Sequence, residues 1–73
     1  MDIVELKKKY NQLLKRVYDA EQYFETCSKE DIDKYMPKYM KILDVINKMI
    51  IVLRKNGIEM NDKAILEGFK ECE

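Results

Sequence analysis

The stretch ILDVINKMIIVL, residues 42–53, decides the fold of this 73-residue chain, because it is the densest apolar run and sits inside a longer pattern. From Ile32, the positions Met36, Tyr39, Leu43, Ile46, Ile50 and Leu53 recur at spacings that alternate four and three. That spacing is the seam of an α-helix packed lengthwise on another helix. Tyr35, Ile42 and Met49 lie beside the seam and widen it to the face of a bundle helix. Lys34, Lys41, Lys48 and Lys55 recur on the opposite side and form a solvated back. The later half departs from this order, since Val45, Ile51 and Val52 fall outside the seam. A helix apolar nearly all round is buried on more than one side. The pattern therefore demands a cover from a third helix, a second copy of the chain or a partner.

The preceding segment predicts a first helix over residues 2–26. Ile3, Leu6, Tyr10, Leu13, Val17, Ala20, Phe24 and Cys27 keep the same repeat, with Leu14 broadening the face. Ser28, with Asp31 three residues on, reads as a helix cap, and Glu30, Asp31 and Asp33 load the start of helix 2 with negative charge. Helix 2 is expected over 29–55. Pro37 lies within it and lacks the N–H that a helix interior uses. Two readings fit, a kink near Asp33 to Pro37 or a break with Pro37 in a new first turn. The unbroken apolar register favours the kink. Asn56-Gly57 reads as a left-handed stop, with Ile58 folding back.

A short third helix is expected over 61–71, with Ile65, Leu66 and Phe69 on its apolar face and a loose tail at Glu71-Cys72-Glu73. Short connections make neighbours antiparallel. The fold class is thus all-α, an antiparallel three-helix bundle of two long helices and a short third, in a single domain over residues 1–73. On this reading the third helix returns along the later half of helix 2 and covers Val45, Ile51 and Val52. The outline resembles that of small bacterial export chaperones and adaptor proteins in shape alone, and no motif or residue is carried over from them.

Composition excludes several function classes. Fourteen basic and fourteen acidic side chains cancel, which argues against a general nucleic-acid binder. The longest apolar run is far short of the ~20 residues a bilayer span needs. The first residues, MDIVELKKK, lack the apolar core of a signal peptide. There is no His, and Cys27 and Cys72 are far apart, so no zinc-ligand spacing exists. Two free thiols and a cytoplasmic setting are expected. No nucleophile has a base beside it and the two glycines stand alone, so neither an enzyme, a cofactor nor a small-molecule substrate is expected.

What remains is surface. Lys8, Lys9, Lys15 and Arg16, with Lys7, make a basic face on helix 1 that reads as solvated. Its alternative use is by a nucleic-acid-associated regulator. Five Tyr and five Met are many for this length, and such side chains suit adaptable protein contacts. Tyr35, Met36, Tyr39, Met40 and Leu43 lie where the third helix cannot reach, and they are the expected protein interface. The expected function is a small non-enzymatic interaction module that binds another protein and forms a homodimer.

Overall fold

The computed structural model describes residues 2–72 and its regular elements are all helices, with no strand among the described residues. Helix α1 spans Ile3–Thr26, α2 spans Lys29–Lys55 and α3 spans Asp62–Glu67, followed by a 3₁₀ turn at Lys70–Cys72. The molecule is 41 × 20 × 20 Å. Its long dimension is that of α2, whose 27 residues rise about 40 Å at ~1.5 Å each.

Each helix begins on the side chain that local chemistry favours. The Asp2 carboxylate accepts from the Val4 N–H at 3.0 Å, the Ser28 hydroxyl from Asp31 at 3.3 Å, and the Asn61 amide oxygen from Ala64 at 2.8 Å. Helix α2 passes through Pro37 without interruption. It stops at Gly57, whose φ of 80° is open to glycine at little cost. The Gly57 N–H donates to the Arg54 carbonyl and that of Ile58 to Leu53, each at 3.0 Å, which is the Schellman pattern.

The core lies at one end. Leu6, Tyr10, Leu14 and Val17 of α1 meet Ile46 and Leu53 of α2, with Met60 and Phe69 closing over them. Tyr10 and Leu53 are fully buried. The Tyr10 ring meets Phe69 edge-on at 5.8 Å, and its hydroxyl donates to the Ile65 carbonyl at 2.6 Å. Burial and then the neighbouring Tyr18 push this phenol up to about 12.

The other end is thinner. Between Tyr18 and Val45 no side chain is fully buried. There the two long helices alone make the layer. The Tyr23 and Tyr35 rings meet edge-on at 5.8 Å and those of Phe24 and Tyr39 at 5.4 Å, so residues late in α1 meet residues early in α2.

The structure corrects the sequence reading at the third helix. It ends at Glu67 rather than residue 71, because Gly68 takes φ 77° and breaks the ladder. Helix α3 and the following turn pack chiefly on α1, so they leave Val45, Ile51 and Val52 exposed at 43%, 53% and 38%. Leu66 is likewise exposed, not part of an apolar face. Residues 71 and 72 are not loose. The Asn11 side chain donates to the Phe69 carbonyl at 2.8 Å and accepts from the Phe69 N–H at 2.6 Å. Lys7 pairs with Glu71 at 3.1 Å. Glu73, also assigned to that tail, lies outside the described residues.

Candidate protein-docking face

Helix α1 presents two flanks to the groove it makes with α2. One carries Lys7, Asn11, Leu14 and Tyr18, spaced by four and three, and it holds α3 and the 3₁₀ turn. Tyr18 donates its hydroxyl to the Leu66 carbonyl there. The other flank carries Lys9, Leu13, Arg16, Ala20 and Tyr23, and nothing in the described chain lies over it. Across from it α2 contributes Tyr35, Lys38, Ile42, Val45, Met49 and Val52, again at alternating three and four.

Two clefts open along this uncovered side. One, of about 440 Å³, is lined by Asp19, Ala20, Tyr23, Phe24, Tyr35, Lys38, Tyr39 and Ile42. The other, of about 270 Å³, is lined by Lys9, Gln12, Leu13, Arg16, Val45 and Met49. Tyr39 is held at the first cleft by donating to Glu21 at 2.8 Å, and that bond to the carboxylate is the main reason its phenol is pushed up. The Lys34 and Lys38 ammonium groups stand 5.7 and 5.6 Å from the Tyr35 ring centre. A third concavity, about 640 Å³, lies between the Gly57 turn and α3. Its charges are mixed, with Lys7, Lys63 and Lys70 against Glu59, Glu67 and Glu71, so it favours neither sign of partner.

The five residues expected to form one interface strip divide. Tyr35 and Tyr39 line the first cleft, whereas Met36, Met40 and Leu43 do not. Helical spacing sets those three on the opposite flank of α2, where Met40 is 56% exposed. The basic residues divide too. Lys9 and Arg16 border the second cleft, Lys8 and Lys15 are exposed away from it, and Lys7 is engaged by Glu71.

Sequence reasoning missed Leu13, Ala20, Tyr23, Ile42 and Met49 as one lining, and Lys38 as its rim. The signal was present in the repeat from Tyr35 to Val52, but Val45 and Val52 were assigned to a helix that goes elsewhere. Cys27 and Cys72 are free and half-buried. Among the described residues no three carboxylates or thiols gather as a metal site, and no helix is long and apolar enough to cross a membrane. No family model, curated protein or solved structure matches this chain.

Proposed function

We propose that this chain is a small non-enzymatic protein-interaction module of the adaptor, chaperone or regulator kind, working as a homodimer in the cytoplasm. It is one antiparallel three-helix bundle over residues 1–73, with α2 bent near Pro37. The antiparallel sense is supported by the pairings of Tyr23 with Tyr35 and Phe24 with Tyr39, together with the cleft shared by Leu13, Arg16, Val45 and Met49.

One observation carries the functional reading. Helix α2 leaves Met40, Val45, Ile51 and Val52 exposed, and α3, which packs chiefly on α1, does not cover them. Apolar side chains left open along a helix flank mark an interaction surface, and here they fall on two flanks. Val45 and Val52 lie on the cleft side of α2. Met36, Met40, Leu43 and Ile51 recur on the other side at helical spacing, and a second copy covering that stripe would form the dimer.

Light scattering over a range of concentrations tests this. The expected result is twice the chain mass, and Met40→Asp returns the chain to a monomer with unchanged helicity. A monomer at every concentration would refute the dimer and leave the Met36 to Leu43 flank to a different protein. Tyr39→Glu, on the cleft side, should leave the dimer intact.

A further inference from the structure

We infer that the uncovered groove between α1 and α2 takes an acidic amphipathic helix from a partner protein. The inference rests on the interaction reading above and names the chemistry of the occupant.

Shape points to a helix. On the opposite side of the same pair, α1 already accepts α3 against Asn11, Leu14 and Tyr18. The uncovered side offers the equivalent trough between two ridges, with Leu13, Ile42, Val45 and Met49 along its floor. An apolar stripe at three-and-four spacing laid in such a trough is the helix-in-groove mode. From Tyr35 to Val52 the floor runs about 26 Å, or about five turns.

Charge points to acid. The second cleft carries Lys9 and Arg16 with no carboxylate in its lining, whereas the first carries Lys38 against Asp19, with Glu21 and Asp31 bonded to Tyr39 and Tyr23 at its edge. The ion pairs among the described residues use Lys7 and Lys48, so none of these three cations is in one. In a chain of zero net charge, the second cleft is locally positive. A second copy pairing here face to face would set cation against cation, which is destabilising. Glu or Asp on the flanks of an incoming helix would meet these cations while its apolar stripe covers Val45 and Met49. The apolar floor, in turn, offers nothing to a phosphate backbone.

The test uses the full chain and a fluorescein-labelled peptide of about 18 residues, long enough for five turns. The peptide has Leu at three-and-four spacing and Glu on both flanks. A second peptide keeps the Leu stripe and replaces Glu by Lys. By fluorescence anisotropy, the Glu peptide should bind about tenfold or more tightly than the Lys peptide, the cumulative effect of three exposed ion pairs. Arg16→Glu combined with Lys38→Glu should reverse the preference, and Val45→Asp should abolish binding of both. These positions are exposed or half-exposed, and circular dichroism checks that each variant folds. Equal binding of the two peptides, lost on Val45→Asp, would overturn the acidic assignment while leaving the docking groove. No binding of either peptide would overturn the groove, with the dimer measured above deciding the module reading separately. Displacement of the Glu peptide by a duplex DNA oligonucleotide would overturn the inference in favour of nucleic acid on the same cations.

Discussion

Replacing Tyr10 by Phe isolates one hydrogen bond at the centre of the core. Tyr10 is fully buried, its ring lies edge-on to Phe69, and its hydroxyl donates to the Ile65 carbonyl at 2.6 Å. Tyr10→Phe keeps the ring and its packing and deletes only the donor. The loss should be about 1–2 kcal/mol, since the bond goes and a part-buried carbonyl is left short of a partner. For a chain of this size that lowers Tm by roughly 4–8 °C per kcal/mol.

The same hydroxyl makes a second, independent prediction from its acidity. Its folded pKa is raised from 10.0 to about 12. A raised pKa means that the folded state favours the protonated form. The stabilisation is therefore complete below pH 10 and is lost as pH rises towards 12. Near pH 11 the wild type should have lost about 1.4 kcal/mol through this group, and Tyr10→Phe nothing. Every other side chain is common to the two proteins, so the difference isolates this hydroxyl. Urea melts followed by circular dichroism, at about pH 8 and about pH 11, read the result directly. The gap between the proteins should close or change sign at the higher pH. A gap that stays constant would refute the placement of Tyr10 as a buried, neutral donor.

Other perturbations test the rest of the frame. Asn11→Ala removes both bonds to Phe69 and should cost about 2–3 kcal/mol, with faster amide exchange confined at first to residues 69–72. The two left-handed glycines should differ under substitution by Ala. At Gly57 the added methyl enters open space and the cost is the backbone strain of about 1–2 kcal/mol. At Gly68 it would collide with the Asn11 side chain, so Gly68→Ala should lower Tm well beyond Gly57→Ala, and equal losses would contradict the close approach of this turn to α1. Pro37→Ala restores an N–H inside α2 and should stabilise by about 1–3 kcal/mol in a thermal melt. A lowered Tm would mean that packing uses the proline geometry.

Much of this was legible before any coordinates. The two long helices followed from unbroken three-and-four repeats, because a helix one layer from its neighbour must place apolar groups on that period. The cap at Ser28 and the stop at Gly57 were legible because both are local chemistry between residues a few positions apart. The docking face was half legible. Val45 and Val52 stood out as surplus, and Tyr35 and Tyr39 as interface residues, but Leu13 and Ala20 looked like ordinary seam positions and Met49 like a neighbour of the seam.

Sequence by itself therefore determined which residues are apolar, where helices start and stop, and that one helix carries more apolar surface than a single neighbour can cover. Tertiary structure alone decided who covers what. Asn11 is a polar residue on a helix flank, indistinguishable in sequence from a solvated one until the Phe69 backbone arrives at both ends of its amide. Periodicity gives the angle of a side chain about its own helix axis. It does not give the side of the α1–α2 pair on which a short third helix, released by Gly57 and stopped by Gly68, comes to rest. That side is set by contacts some 50 to 60 residues apart, such as Tyr10 with Ile65 and Asn11 with Phe69. By resting on one flank of α1, α3 leaves the other flank and its groove uncovered.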